Sequence, residues 1–422
     1  MAILEVSPRQ ALVDDSISVQ VRRGTPRAVV ALRARLVDKV GLSWESWAEY
    51  QTDGQGRLDL SSAKPLRGSY SEPDSMGLFW SMLPQDPAAA LEHSIFGGPD
   101  SVQVHLTLSD GAEEVVADLE LRWVGPGVTR EPVDRDGLKG ALWAPAGKPP
   151  FRPVLVFGGS DGGLREETAA LLASRGFFCL VIAYFRHPGL PEDLVRIPLE
   201  YFGRAIDLLA TDPRTDPARG VAVHGRSRGG ELALLLGATF PAVDSVVAYV
   251  PSGIVHAGIP HNEDSWQSDV HSWTWRGESI PYLPHLPVGE PASQAQPPVR
   301  LTPIYCRDLA DWQAAERAAI RVERSRARIL MISGMDDAMW PSSLFSELTL
   351  ARLQRLGYDR PYAHLALPQA GHRFNFPTVP GTISAGRHPA DQQVYEYGGT
   401  PVGNSRAGLK AHRAILDWLA AN

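Results

Sequence analysis

Cysteine is nearly absent: Cys179 and Cys306 are the only two in 422 residues. So few cysteines exclude a disulfide framework and fit a reducing compartment. Long hydrophobic runs are missing as well, and no stretch approaches the roughly 20 apolar residues that cross a bilayer. Neither sign of charge dominates. Forty-one basic and 48 acidic side chains leave a formal net charge of −7, which argues against nucleic acid as a partner and gives no sign of an anionic-membrane anchor. Lysine is scarce, five residues against 36 arginines, a compositional skew with little weight as a binding feature. The opening Met1-Ala2-Ile3-Leu4-Glu5-Val6 lacks the basic stretch and apolar run of a secretory signal, so a cytoplasmic location is expected. No His/Cys cluster has metal-ligand spacing and no nucleotide-binding glycine loop has its companion residues, so neither a metal nor a cofactor is expected. What is present is an ordinary globular mixture, 44% hydrophobic and 21% charged, at a length that calls for two domains.

The first 125 residues alternate with period two. Ile17, Val19 and Val21 are one such set; Val102, Val104, Leu106 and Leu108 are another; Ala117, Leu119, Leu121 and Trp123 are a third. With turns at Asp53-Gly54 and Asp110-Gly111, this pattern predicts an all-β, immunoglobulin-like sandwich over residues 1–125. Glycine and proline punctuate Gly125 to Pro132, so residues 126–137 read as a linker. From residue 138 to 422 the pattern changes to continuous apolar strands (Pro153–Gly158, Phe177–Phe185, Gly220–Gly225, Ser245–Val250, Arg328–Gly334, Ala363–Leu367) separated by helical periods. That grammar predicts a mostly parallel sheet covered by helices on both faces. Residues 254–326, rich in Pro, His and Trp, read as an insert.

Two segments fit Gly-x-Ser-x-Gly: Gly225-Arg226-Ser227-Arg228-Gly229 and Gly158-Gly159-Ser160-Asp161-Gly162. Chain order separates them. In the α/β-hydrolase fold the nucleophile follows the fifth strand, while the loop after the third supplies oxyanion donors. Ser227 is therefore the expected nucleophile, and the backbone N–H groups of Ser160 and Arg228 are the expected oxyanion hole. Serine needs a base, and the base an orienting acid. Past Arg328–Gly334 stand Asp336 and Asp337, of which the spacing favours Asp337; past the last strand, Gly371 precedes His372. His364, inside that strand, reads as a packed or surface residue.

These residues carry a resemblance. The chain resembles the type I acyl-CoA thioesterases and the related bile acid-CoA:amino acid N-acyltransferases over nearly its whole length. The resemblance rests on Met76-Gly77-Leu78-Phe79-Trp80, Leu199-Glu200-Tyr201-Phe202, the elbow continuing into Gly229-Gly230-Glu231-Leu232, Gly334 through Asp337 to Trp340, and Gly371-His372. It implies an α/β-hydrolase behind a β-sandwich, a triad of Ser227, Asp337 and His372, and a small-molecule acyl thioester, such as a coenzyme A ester, as substrate. Family members with cysteine as nucleophile favour transfer to an amino acid and those with serine mostly hydrolyse, so Ser227 implies hydrolysis. The alternatives are an acyltransferase acting on an amine or alcohol, or an esterase of the dienelactone-hydrolase kind. Asp161 stands where the family's oxyanion loop has glycine. The ending Ala420-Ala421-Asn422 shows no peroxisomal address. Arg226, Arg228 or Arg276 would meet the phosphates of coenzyme A, and Trp266, Trp273 and Trp275 would wall an acyl pocket or else pin the insert to the domain.

Overall fold

The computed structural model describes residues 1–91, 101–111, 113–261, 268–286, 296–374 and 376–421. It divides into two compact units. The first comprises Met1–Val124 with Arg373–Gly386 and Thr400–His412; the second comprises Gly125–His372, Arg387–Gly399 and Arg413–Asn422.

The N-terminal part of the first unit is mainly β, interrupted only by short helical turns at Gly77–Trp80 and Ala89–Leu91 among the described residues. Val29–Val37, Ser43–Gln51, Val102–Asp110 and Glu113–Arg122 form the antiparallel centre of one sheet, and Ile3–Ser7, Ser18–Arg22 and Leu58–Asp59 form a second. Period two sets which face is buried: Val30, Leu32, Ala34 and Leu36 point inward while their neighbours are exposed or half-buried. Leu32 stands opposite Leu108 and Ala34 opposite Leu106, so the apolar faces coincide across strands. Two C-terminal segments complete this unit, a correction to the single second domain over 138–422 that the sequence predicts. Thr378 donates a hydrogen bond to the Val13 carbonyl, and Phe376 packs edge-on against Trp123 with ring centroids 5.9 Å apart. Segments without periodicity carry no sign of which sheet they cover.

The second unit holds an eight-stranded sheet. In chain order its strands are β1 (Thr129–Arg135), β2 (Leu138–Ala144), β3 (Arg152–Phe157), β4 (Phe177–Ala183), β5 (Val221–Arg226), β6 (Val243–Tyr249), β7 (Arg328–Gly334) and β8 (Tyr362–Leu367). Their spatial order is β1-β2-β4-β3-β5-β6-β7-β8, parallel from β4 onward, with β2 antiparallel to both its neighbours. Every residue of β3 and β4 is buried, as a sheet covered on both faces demands. This is the α/β-hydrolase fold. The expected linker is instead largely β1. It lies at the sheet edge with Val133 alone buried, so it needs no apolar alternation and tolerates Pro132. The insert folds around strands Trp273–Trp275 and Glu278–Ser279 and two short helices, Thr302–Asp308 and Trp312–Ala318, the second capped by Asp311. Among the described residues no helix is long and apolar enough to cross a membrane.

Candidate active site

The carboxyl ends of β3, β5, β7 and β8 share one edge of the sheet, where an open α/β architecture places its ligands. At the end of β5 the chain turns sharply into helix α1 (Arg228–Thr239), and Ser227 takes φ 57° and ψ −121°. That region is sparsely populated and costs about 1–3 kcal/mol. Close packing holds it there. The Ser227 amide donates to the Tyr249 carbonyl at 2.8 Å. A β-carbon on Gly225 would lie 2.0 Å from the Gly229 carbonyl oxygen, and one on Gly229 would lie 2.3 Å from that of Gly158. Only glycine fits either place. Ser160 shares neither feature: its φ is not positive, and the next helix begins only at Glu167.

The loops after β7 and β8 bring the acid and the imidazole to that turn. His372 Nε2 lies 2.9 Å from Ser227 Oγ, and His372 Nδ1 lies 2.8 Å from Asp337 Oδ2. A carboxylate only accepts, so Nδ1 carries the hydrogen and Nε2 is left to accept from the serine hydroxyl. Asp337 is buried and also accepts from the Met339 and Trp340 amides at 3.0 and 3.3 Å and from Ser342 Oγ at 2.6 Å. Asp336 faces solvent. The His372 amide donates to the Tyr397 carbonyl at 2.6 Å, and Arg226 donates to the His372 carbonyl at 3.0 Å. Thus three separate loops fix one hydrogen-bonded row. His364 instead pairs with Ser333 and Glu347.

The loop after β3 lies against the elbow: a β-carbon on Gly159 would sit 3.1 Å from Ser227 Cβ and 3.7 Å from the Arg228 nitrogen. Arg228 heads α1, where the first amides lack partners within the helix. The Arg228 and Ser160 amides therefore stand on neighbouring segments beside Ser227. Asp161 points outward, half exposed and 3.8 Å from Arg165.

The Arg228 side chain is engaged by protein groups on the insert and on its own helix. It is buried, pairs with Glu231 at 2.7 Å and donates to the His256 and Ala257 carbonyls. Trp273 Nε1 donates to the other Glu231 oxygen at 2.8 Å. Burial pushes the Glu231 carboxyl up to about 7, against the pull of Arg228, and holds the His256 imidazole well below its usual range. The insert is thereby tied to the first turn of α1. The glutamate three residues after Arg228 was the sequence signal for this pairing. Arg226 lies over the Tyr249 ring and Arg276, exposed, over the Trp275 ring.

A cleft open to solvent lies beside Ser227 and His372. Its apolar lining comes from Ile259, Leu301, Tyr305, Met339 and Trp340, and its polar lining includes Ser160, His285, His388 and Asp391. Trp273 and Trp275 are not among these residues. Trp273 is fully buried in the core and Trp275 packs edge-on against Phe240, so both pin the insert; Trp266 lies outside the described residues. The histidine and aspartate at 388 and 391 carry no sequence signal, because their segment shows no periodicity and Arg387–Gly399 reaches the cleft only through tertiary pairings such as Val299 with Tyr395.

Residues 14–135 match the model of the acyl-CoA thioester hydrolase/BAAT N-terminal region, and residues 197–421 match that of the BAAT/acyl-CoA thioester hydrolase C terminal. Acyl-coenzyme A thioesterase 1 of Rattus norvegicus is 30% identical over 415 residues, covering 96% of this chain and 93% of that one. The Mus musculus protein of the same name is 29% identical over 413 residues, with the same coverage. Among solved structures, a putative dienelactone hydrolase from Klebsiella pneumoniae aligns at 13% identity with a TM-score of 0.43, covering 70% of this chain and 99% of that one. The chain belongs to the acyl-CoA thioester hydrolase/BAAT family of enzymes.

Proposed function

We propose that this enzyme hydrolyses an acyl thioester, a coenzyme A ester in the first instance, through an acyl-enzyme on Ser227. The observation that carries the reading is the row Asp337–His372–Ser227, joined at 2.8 and 2.9 Å, with Ser227 and His372 lining a cleft that has an apolar wall. His372 Nε2 takes the Ser227 proton as Oγ attacks the thioester carbonyl, and the Ser160 and Arg228 amides receive the developing oxyanion. The tetrahedral intermediate collapses, the C–S bond breaks, and His372 gives its proton to the departing sulfur, which leaves as the thiol and returns the imidazole to its neutral form. Water then gives its proton to His372 while attacking the acyl-enzyme, and collapse returns the proton to Ser227 as the acid departs. Asp337 keeps Nδ1 protonated throughout and stabilises the imidazolium. The apolar lining at Ile259, Leu301, Tyr305, Met339 and Trp340 suits an acyl chain.

The test is product analysis. Purified protein is incubated with acyl-CoAs of several chain lengths, with and without glycine or taurine. Hydrolysis gives stoichiometric free thiol and free acid in both conditions. An N-acyl amino acid as the main product would replace hydrolysis with transfer, and no thiol release from any acyl-CoA would overturn the reading.

A further inference from the structure

Two rows of polar side chains end in the same cleft, the second broken between its carboxylate and its imidazole. The second is Tyr395–Asp391–His388–Ser160: Tyr395 donates to Asp391 Oδ2 at 2.7 Å, Asp391 Oδ1 stands 4.0 Å from His388 Nδ1, and His388 Nε2 lies 3.0 Å from Ser160 Oγ. The residue types match those at Ser227, but the protons run the other way. The Ala390 amide donates to His388 Nδ1 at 3.2 Å, so Nδ1 presents its lone pair and Nε2 carries the hydrogen. Burial lowers the His388 pKa, which keeps the ring neutral. Nε2–H therefore donates to Ser160, and this imidazole has no lone pair there with which to take the serine's proton. Ser160 accepts from His388, so its own hydrogen points elsewhere, and Ser160 lines the cleft beside Ser227.

On the reading of Ser227 as nucleophile, on which this inference rests, we propose that the Ser160 hydroxyl is a third donor to the thioester oxyanion, added to the two backbone amides. His388 is a positioning residue: it fixes which way that hydroxyl donates. A hydroxyl donor is worth most when its direction is set before charge develops, and an imidazole locked as a donor by a backbone amide sets it. The same polarity explains why the glycine-flanked Ser160 is no rival nucleophile.

The test uses the full chain and the variants Ser160→Ala, His388→Leu and His388→Gln, whose melting temperatures are compared first. Two readouts are taken: kcat and KM on an acyl-CoA that the parent hydrolyses, and the rate at which a fluorophosphonate labels Ser227. The phosphonyl oxygen of that probe occupies the oxyanion site, so the second readout needs no substrate. Ser160→Ala is expected to lower kcat about 100-fold, as loss of one oxyanion donor does, with KM within threefold and labelling slowed by a similar factor. His388→Leu is expected to lose a comparable factor, Ser160→Ala/His388→Leu no more than Ser160→Ala alone, and His388→Gln, which keeps an N–H donor, to regain most of it. Ser160→Ala labelling Ser227 within threefold of the parent rate would overturn the proposal, as would fully additive losses in the double variant. Those failures are distinct from failure of the hydrolase reading, in which the parent itself neither releases thiol nor takes label on Ser227.

Discussion

Gly225→Ala is the sharpest structural perturbation of the elbow, because its effect follows from distances. The added carbon would lie 2.0 Å from the Gly229 carbonyl oxygen and 2.5 Å from Phe157 Cε2, against an ordinary separation of about 3.5 Å. Neither obstacle is the free end of a flexible side chain. Gly229 belongs to the first turn of α1, and Phe157 ends β3 and is buried. Relief requires the turn carrying Ser227 to move by roughly 1–1.5 Å. A displacement of that size at a reacting group lowers the rate about 100-fold, and overpacking costs a further 1–3 kcal/mol or so of stability. The control is Gly54→Ala, whose β-carbon would meet only Arg27 Nε, at 3.9 Å. Thioester turnover, monitored as free thiol, and urea unfolding of both variants decide the matter. Gly225→Ala with turnover within threefold of the parent would refute the claim that close packing at the elbow positions Ser227.

Asp337→Asn is expected to lower kcat by about 10⁴, since an amide can hold the imidazole in the wrong tautomer, whereas Asp336→Asn, at an exposed position, stays within twofold; equal losses would remove Asp337 from the row. Trp340→Ala removes a cleft wall that also packs against His372 at 6.0 Å and donates to the Val250 carbonyl, so it should change acyl-length preference and cost about 3–5 kcal/mol; an unchanged length profile would make Trp340 a packing residue only. Glu231 has a folded-state pKa raised from 4.5 to about 7 by burial. The folded state therefore keeps a proton that the unfolded chain releases above about 4.5, and this carboxyl's contribution to stability falls as pH rises from about 4.5 to 7, by at most ~1.4 kcal/mol per pH unit. Urea unfolding of the parent and Glu231→Gln across that window should show the parent losing ground to the variant; a difference that is flat or grows with pH would contradict this.

How much of this could be read from the sequence depended on how local the cause was. The elbow was legible because Gly225 and Gly229 flank Ser227 at fixed spacing between an apolar strand and a helix, although the segment Gly229 packs against, at Gly158, shows only in the fold. Asp337 and His372 were legible because the order of strands in a parallel sheet dictates which loops meet at its edge. The direction of the Arg228 side chain was not, since an arginine beside a nucleophile suggests an anion site until Glu231 is seen to hold it in the core. The edge strand Thr129–Arg135 hid because a strand with one buried residue has no alternation to find. Tyr395, Asp391 and His388 hid because their segment has no periodicity, and only the fold brings them to Ser160.

The central claim is that acyl chemistry passes through a covalent ester on Ser227. Its most direct test is rapid acid quenching of the enzyme during turnover of an acyl-CoA, followed by peptide mass spectrometry, with Ser227→Ala in parallel. The account predicts an acyl mass on the peptide containing Ser227 and none in the variant, whose turnover falls by several orders of magnitude while its unfolding is unchanged. An acyl mass on Ser160, or turnover in Ser227→Ala within tenfold of the parent, would contradict it.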